Sequence, residues 1–313
     1  MITSLQQVIE STKEHPLRTV AVAVAEQESV LESVRDALAA GIARPMLFGS
    51  QSRIEALAEK VGLDLGQCRV SDQPDELAAA AEAVRAVREG PADLLMKGHL
   101  HTDDFLRALL HKEHGLRTGF IMSHVFVLET TLRGKLTFVT DGAMNIAPDL
   151  TTKASIIMNA VYLANCFGIE APKVGVLAAL ELVNPAMPAT LEAAALAKMC
   201  SRGQFPKCQI EGPLALDNAV NRHAAEVKCI PGDVAGDCDI LVCPDIESGN
   251  ILSKSFAFLC GGRSAGVLVG ASAPVVLTSR ADSAEAKLYS IATAVLMVNL
   301  CRGGHLKIGA VHY

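Results

Sequence analysis

Aromatic residues are scarce in this chain. It contains no tryptophan, three tyrosines and nine phenylalanines among its 313 residues. Aromatic side chains are the platforms on which proteins stack nucleic-acid bases. The net charge of −6 also leaves no basic stripe for a phosphate backbone. The composition therefore argues against nucleic acid as a partner, although a pocket needs only a few local cations to bind a small anion.

Long apolar runs are missing as well. Hydrophobic residues make up 50% of the chain, yet no uninterrupted run reaches the roughly 18 residues of a membrane-spanning helix. The opening residues, MITSLQQVIESTKEH, are polar and amphipathic and lack the basic and apolar regions of a secretory signal. We therefore expect a cytoplasmic protein with no membrane partner.

Cysteine is present, but not in the spacings that bind metals. The nine cysteines include no CxxC pair, and the interval from Cys238 to Cys243 fits no zinc pattern. We expect these thiols to be free and buried. His99 and His101 would point the same way from a strand, but no nearby carboxylate or cysteine set completes a metal site. The sequence thus predicts no bound metal.

Two nucleotide-binding motifs are absent, together with one zinc-protease motif. No Walker A loop, no GxGxxG fingerprint and no HExxH pair occurs in the sequence. Nucleotide hydrolysis and a Rossmann-type nicotinamide site both lose support from this absence. We likewise expect no GxSxG nucleophile elbow of a hydrolase.

Short apolar segments alternate with longer helical patterns along most of the chain. This alternation predicts a mostly parallel sheet covered by helices on both faces. Residues 120–128 and 135–140 have no helix between them, so the turn at 131–134 predicts an antiparallel hairpin there. The other predicted strands are 19–25, 45–48, 67–70, 92–96, 174–178, 240–243, 266–269 and the segment that begins near 275. The predicted helices are 29–40, 54–61, 75–89, 103–111, 151–167, 191–202, 251–260 and 284–296.

The most informative segment is VVLTSRADS at residues 275–283. An apolar strand ends in Ser279 and Arg280, and a helical pattern follows Asp282 and Ser283, either of which suits the N-cap position. The free N–H groups of a helix start, with a guanidinium beside them, predict an anion-binding site at the carboxyl end of a strand. An ordinary capped helix after an ordinary strand explains the segment equally well.

A second strand end carries side chains of the same kind. Lys97 and Gly98 follow the apolar run ADLLM, and a helical pattern then holds Thr102 and Arg107. Thr102 is a candidate N-cap whose hydroxyl would face a ligand, and the two cations suit an anion. We therefore expect Lys97, Thr102 and Arg107 to contact the substrate.

Two further strand ends are polar, and their readings stay open. Asp141 and Asn145 follow the strand at 135–140. In one interpretation they contact the substrate at this strand end. In the other, Asn145 shapes the turn and Asp149 caps the next helix. The cluster at 245–250, DIESGN, either caps a helix or lines a cleft.

Several long segments together resemble one family, the phosphate acyltransferases, which include phosphate acetyltransferase and phosphate butyryltransferase. They cover most of the chain after about residue 90 and occur in the family's order. The similar segments are LLMKGHLHTDDFLRALL (94–110), GLRTGFIMSHVFVLE (115–129), TDGAMNIAPDLTTKASI (140–156), KVGVLAALELVNPAMPATLEAAALAKM (173–199), GPLALDNAV (212–220), DILVCPDIESGNIL (239–252) and VVLTSRADSAEAKL (275–288).

The resemblance implies both a fold and an assembly. The fold class is α/β, with two α/β domains flanking a cleft as in isocitrate and isopropylmalate dehydrogenases. Domain I would comprise residues 1–117 and 266–313, and domain II residues 118–265. Members of the family are typically homodimers through the middle domain, so we expect a homodimer here.

The resemblance also implies a reaction, the reversible transfer of a short acyl group between CoA and inorganic phosphate, with acetyl favoured over butyryl. The ligands are acyl-CoA or CoA, phosphate and acyl phosphate; CoA is a substrate, and no cofactor is needed. Ser279 and Arg280 match the family's catalytic pair, and Thr102 and Arg107 match the hydroxyl and arginine of the other cleft wall. These assignments agree with the anion sites inferred from the residues.

One position departs from the pattern of phosphate acetyltransferases proper, which carry an aspartate seven residues beyond the catalytic serine. Here that position is Ala286, so Asp282 becomes the nearest carboxylate to serve as the base. Two other readings remain. One is a metal- and NAD-dependent decarboxylating hydroxy-acid dehydrogenase of the same fold, whose aspartate and arginine clusters cannot be assembled from this sequence. The other is a CoA-binding relative without turnover, which only Ala286 supports.

Overall fold

The computed structural model describes residues 1–302 and 311, and it confirms the predicted α/β class. The strands are β1 (Arg18–Ala23), β2 (Ala43–Gly49), β3 (Arg69–Asp72), β4 (Leu94–Lys97), β5 (Ser123–Glu129), β6 (Thr137–Thr140), β7 (Lys173–Leu177), β8 (Gln209–Leu214), β9 (Ile240–Val242), β10 (Arg263–Val269) and β11 (Val275–Val276). The helices are α1 (Leu5–Thr12), α2 (Glu28–Ala39), α3 (Gln51–Val61), α4 (Glu76–Glu89), α5 (Thr102–Leu109), α6 (Leu150–Cys166), α7 (Pro188–Ser201), α8 (Leu216–Val220), α9 (Arg222–Val227), α10 (Ile246–Phe258) and α11 (Ala284–Arg302).

The chain divides into two compact units. The first, which we call the terminal unit, contains Ser4–Phe120 and resumes at Ser264. The second, the middle unit, contains Met1–Thr3 and Ile121–Arg263. The last part of the predicted domain I, residues 303–310 and 312–313, lies outside the described residues.

The terminal unit is built on strands in the order β3-β2-β1-β4-β11-β10. The first five run parallel, which agrees with the alternation of strands and helices in the sequence. All residues of β4 are buried, as expected of a central parallel strand covered on both faces. β10 and β11 pair antiparallel, which the sequence reasoning did not predict. Only residues 270–274 connect them, too few for the crossover that parallel pairing needs.

The middle unit orders its strands β5-β6-β9-β7-β8. β5 and β6 pair antiparallel, with Leu128 opposite Thr137, which confirms the predicted hairpin. The sequence reasoning missed β8, because Pro213 follows Gly212 inside it. Proline removes a ladder donor and is tolerated at a sheet edge, and β8 is the last strand in this order.

Aspartate side chains start several of the helices. Asp75 and Asp149 accept the N–H of Ala78 at 2.8 Å and of Thr152 at 2.7 Å, so the predicted cap at Asp149 is confirmed. Asp245 forms a capping box with Ser248, which extends α10 upstream of its predicted start at 251. The sequence reasoning did not predict α1, α8 or α9.

The cysteines that the structure describes are all free, but only some are buried. Cys166, Cys238 and Cys243 are buried, whereas the others are partly or fully exposed, so the expectation of uniformly buried thiols was wrong. Cys200, at the end of α7, lies with its Sγ 3.5 Å from the carbonyl oxygen of Cys208, just before β8. A hydrogen bond from the Cys208 thiol lowers the pKa of Cys200 below its usual value.

We expect iodoacetamide to alkylate Cys200 at least about tenfold faster than Cys68 at neutral pH, because the thiolate is the nucleophile. Both thiols are partly buried, but burial raises the pKa of Cys68 to about 11. Timed alkylation followed by peptide mass spectrometry measures both rates. The Cys208→Ser variant should retain most of the Cys200 reactivity through its hydroxyl, and Cys208→Ala should lose it. Equal rates for Cys200 and Cys68 would contradict the prediction.

Candidate active site

Three neighbouring parallel strands end at one edge of the terminal unit's sheet. β4 lies between β1 and β11, with Lys97 opposite Ala23 and Met96 opposite Val276. Because carboxyl ends of parallel strands meet at one edge, the residues beyond them come together there. Lys97 and the turn that starts at Ser279 are thus neighbours, so two strand ends at which the sequence predicted anion sites share one edge of the sheet.

Hydrogen bonds from backbone N–H groups to side-chain oxygens shape the turn from Ser279 to Ser283, which we call the Ser-Arg turn. The Oδ2 of Asp282 accepts the N–H of Ser279 at 2.7 Å, and the Oγ of Ser279 accepts the N–H of Ala281 at 3.3 Å. The Oγ of Ser283 accepts the N–H of Ala286 at 3.1 Å. Of the two candidate N-caps, Ser283 therefore caps α11, while Asp282 closes the turn.

Two lysines are buried against the Ser-Arg turn. Lys97 is 2% exposed and Lys287 is 1% exposed. The Nζ of Lys97 donates to the carbonyl oxygen of Gly98 at 3.3 Å, and the Nζ of Lys287 donates to that of Asp282. Burial, followed by the charges of Arg280 and Lys287, lowers the pKa of Lys97 to about 8, although Asp282 opposes the shift. The edge of the sheet is therefore strongly cationic.

Sequence reasoning missed Lys287, although the sequence carries a signal for it. Lys287 precedes the buried Ile291 by four residues and Val295 by eight. Residues at this spacing share one face of a helix. A lysine on the buried face of α11 is uncommon enough to mark a functional position.

Gln27 is a second residue that sequence reasoning missed. It follows β1, and its Nε2 donates to the carbonyl oxygen of Arg280 at 2.9 Å, which holds the Ser-Arg turn. Within the described residues, the buried oxygens Gln27 Oε1 and Thr278 Oγ1 have no hydrogen-bond partner. Glu26 and Gln27 follow the predicted strand at 19–25 and were the available signal, because strand ends carry ligand contacts.

The loop after β4 donates a hydrogen bond to Val24, a residue with a strained backbone. Val24 has a φ of 56°, which is rare for a β-branched residue and costs about 1–3 kcal/mol. Its carbonyl oxygen accepts the N–H of His99 at 2.7 Å, and that of Ala23 accepts the N–H of Gly98 at 2.9 Å. Strain of this kind persists where the surrounding structure fixes it, here beside Lys97.

Thr102 and Arg107 lie on α5, which follows Lys97 in the terminal unit. Thr102 is the first helical residue and His101 is the N-cap, so the predicted cap at Thr102 was wrong. The backbone of His101 is extended, with φ −64° and ψ 144°, so the helix begins at Thr102 and its N-cap lies one residue earlier than predicted. The guanidinium of Arg107 lies 3.1 Å from a carboxylate oxygen of Asp104 on the same helix, with the Arg107 side chain 71% exposed.

Asp141 and Asn145 lie in the middle unit and hold their own loop. Asp141 is buried, and its Oδ1 accepts the N–H groups of Ala143 and Met144, both at 3.0 Å. The Nδ2 of Asn145 donates to Asp141 Oδ2 at 2.6 Å and to the carbonyl oxygen of Met122 at 2.9 Å. The turn-shaping reading of Asn145 thus describes these contacts, and substrate contact stays a prediction.

Residues 262–266 read GRSAG, which has the GxSxG spacing of a hydrolase nucleophile elbow, so the expectation that this motif is absent was wrong. That elbow needs its serine between a strand and the following helix. Ser264 instead lies inside β10, after α10. The order of elements therefore rules out an elbow at this position. The polar cluster at 245–250 forms the N-cap and first turn of α10, which agrees with the helix-capping interpretation.

In residues 1–302 and 311, no three histidine, cysteine, aspartate or glutamate side chains gather where they could hold a metal ion. None of the helices in the same residues is long and apolar enough to cross a bilayer.

The fold and the site define a class, an α/β protein with a cationic turn at the carboxyl edge of a parallel sheet, suited to a small anionic ligand. The sequence model of one family, described as "Phosphate acetyl/butaryl transferase", matches residues 3–82 and 73–295. The chain is 48% identical to a phosphate butyryltransferase of Clostridium acetobutylicum over 297 residues, covering 95% of this chain and 99% of that protein. It is 44% identical to a phosphate acetyltransferase of Rhizobium meliloti over 269 residues, covering 86% and 85%.

A solved structure agrees with these relatives. The branched-chain phosphotransacylase from Enterococcus faecalis V583 superposes with a TM-score of 0.81 at 34% identity, covering 90% of this chain and 99% of that one. The chain therefore belongs to the phosphate acetyl/butyryl transferase family, which confirms the resemblance found in its sequence.

Proposed function

We propose that this chain catalyses the reversible reaction of acyl-CoA with inorganic phosphate to give an acyl phosphate and CoA. The observation that carries this proposal is the Ser-Arg turn, whose exposed Ser279 and Arg280 stand beside two buried lysines. Membership of the phosphate acetyl/butyryl transferase family supports the same reaction. A metal- and NAD-dependent dehydrogenase has no comparable support.

Each residue of the turn has a proposed role. Arg280 would hold the phosphate group through paired N–H donors. Asp282 would accept the proton of the CoA thiol, because Ala286 has no group that can act as a base. Ser279 would donate its hydroxyl hydrogen to the oxyanion of the tetrahedral intermediate.

The bond changes follow from these roles. The CoA thiolate attacks the carbonyl carbon of the acyl phosphate, and a carbon–sulfur bond forms. The bond between that carbon and the phosphate oxygen then breaks, and phosphate leaves with the electron pair. Holding both substrates on one site converts a bimolecular step into an effectively unimolecular one.

Other residues would bind the substrates rather than react. Lys97 and Arg107 would neutralise phosphate oxygens, and Thr102 and Ser283 would offer hydroxyl groups to them. Asp141 and Asn145 remain proposed substrate contacts from the middle unit.

The finer points of fold and assembly also stand as proposals. We propose an arrangement like that of isocitrate and isopropylmalate dehydrogenases. Its first domain comprises residues 1–117 and 266–313, and its second comprises residues 118–265. This proposal is supported by the terminal unit, which combines an early and a late segment of the sequence. We propose a homodimer through the middle unit, supported by its exposed apolar residues Leu132, Phe258 and Leu259. The cytoplasmic location and the lack of a metal or nicotinamide cofactor stay predictions.

The test uses the purified chain with CoA and either acetyl phosphate or butyryl phosphate, and follows thioester formation by ultraviolet absorbance. We expect turnover without added metal or nicotinamide, and the ratio of the two kcat/KM values identifies the preferred acyl group. The family includes both acyl specificities, so this ratio tests the preference for acetyl expected from the sequence. Measurable CoA binding without turnover on either substrate would favour the non-catalytic reading.

A further inference from the structure

We propose that the phosphate group of the substrate is the counter-charge of the buried lysines Lys97 and Lys287, and that its binding is coupled to protonation of Lys97. The identity of the anion rests on the proposed function. Lys97 would touch the phosphate, whereas Lys287 acts through the Ser-Arg turn and is a positioning residue.

The burial of both ammonium groups without a carboxylate partner supports this proposal. Lys97 and Lys287 are 2% and 1% exposed. Among the residues that the structure describes, neither lysine takes part in an ion pair with a carboxylate oxygen within 4 Å. Burying an unpaired charge is costly, so proteins rarely do it without a ligand. An ammonium group has three N–H donors, and each lysine has one described acceptor, a backbone carbonyl oxygen. Lys97 therefore keeps N–H donors that an anion can accept, while the positive charge of Lys287 adds to the attraction.

The position of the lysines identifies the Ser-Arg turn as the shared site. Lys97 ends β4, whose partner β11 leads directly into the turn. Lys287 comes one helical turn after the N-cap Ser283, and its Nζ donates to the carbonyl oxygen of Asp282 inside the turn. The orphaned oxygen of Thr278, one residue before the turn, is a second unmet polar group at this place.

The charges around Lys97 set the direction of the coupling. The cations Arg280 and Lys287 oppose its protonation, while Asp282 favours it, and its pairing partner on β1 is the apolar Ala23. Burial first, and then the two neighbouring cations, lower the pKa of Lys97 to about 8. A bound dianion adds negative charge and raises that pKa, so binding takes up a proton above about pH 8. Affinity should then fall as the pH rises through that value.

Sulfate is the probe, because its charge stays the same across the range of the experiment. We expect the Kd of the wild-type chain for sulfate to be nearly constant below about pH 7.5 and to rise roughly tenfold by about pH 9.5. Calorimetry at about pH 8.5 in two buffers of different ionisation enthalpy should also show proton uptake on binding. This second measurement needs no variant.

Three variants separate the two lysines from general electrostatics. Lys97→Met should weaken sulfate binding and remove its rise in Kd with pH. Lys287→Met should weaken binding too, but move the rise to higher pH, because the pKa of Lys97 increases when a neighbouring cation is lost. Lys112→Met, at an exposed lysine of the terminal unit, is the matched control and should bind like the wild type. Circular dichroism and denaturation confirm the fold of each variant.

The outcomes keep this inference separate from the proposed function. A sulfate affinity that stays flat from about pH 7 to about pH 9.5, with no proton uptake, overturns it even if acyl transfer is fast. A rise in Kd that persists in Lys97→Met overturns the assignment of the proton. Coupled sulfate binding without any acyl transfer would leave the lysine pair established and the proposed reaction refuted.

Discussion

Arg280→Gln should lower kcat/KM for acyl phosphate by roughly 10²–10³-fold while leaving the protein folded. The proposed role of Arg280 is to hold the phosphate and stabilise the charge that develops on it in the transition state. Glutamine cannot supply the charge or the paired N–H donors of a guanidinium. Initial rates of thioester formation with acetyl phosphate and butyryl phosphate measure the loss.

The structure supplies the control for that prediction. Arg280 is exposed, and its backbone carbonyl oxygen, which accepts from Gln27, is kept in the variant. We therefore expect the midpoint of urea denaturation to stay within experimental error. Arg85→Gln replaces an exposed arginine on α4 of the same unit and should keep full activity. A full rate in Arg280→Gln would show that phosphate is held elsewhere.

Gly98→Ala should destabilise the terminal unit by about 3 kcal/mol or more. A Cβ at this position would lie 2.1 Å from the carbonyl oxygen of Val24 and 2.6 Å from that of Ala23. Both carbonyl oxygens belong to the backbone, at the last residue of β1 and the residue after it. Neither can therefore move aside as a flexible side chain can. Because Lys97 directly precedes Gly98, phosphate binding should weaken in any fraction that still folds.

Gly66→Ala is the matched control for this substitution. Neither glycine has a positive φ, so added bulk rather than backbone conformation is the difference between them. The Cβ of residue 66 would meet only the carboxylate oxygen of Asp64, at 3.1 Å, on an exposed side chain that can shift. We expect a change within about 1 kcal/mol. Urea denaturation followed by circular dichroism measures both variants, and equal stabilities would refute the close approach at Gly98.

Much of the fold was accessible from local pattern. The alternating apolar and helical segments predicted the central strands β1, β4 and β9, because buried parallel strands are short and continuously apolar. Lys97 and Ser279 each follow a predicted strand, and the carboxyl ends of parallel strands are where such sheets bind ligands. Their positions therefore predicted an anion site. β8 was missed because a proline in a strand is tolerated only where the finished sheet places an edge.

The sequence by itself determined the class of this protein. Its period of apolar residues encodes the α/β architecture, and its long motifs encode the family. Only the tertiary structure decided which charges meet: Lys97 precedes Lys287 by more than half the length of the chain, yet both are buried beside the Ser-Arg turn. Lys287 reaches the turn from the helix that follows it, whereas the pairing of β4 with β11 brings Lys97 there through contacts distant in sequence. Whether a lysine is solvated or buried without a partner depends on those contacts, and no local pattern specifies them.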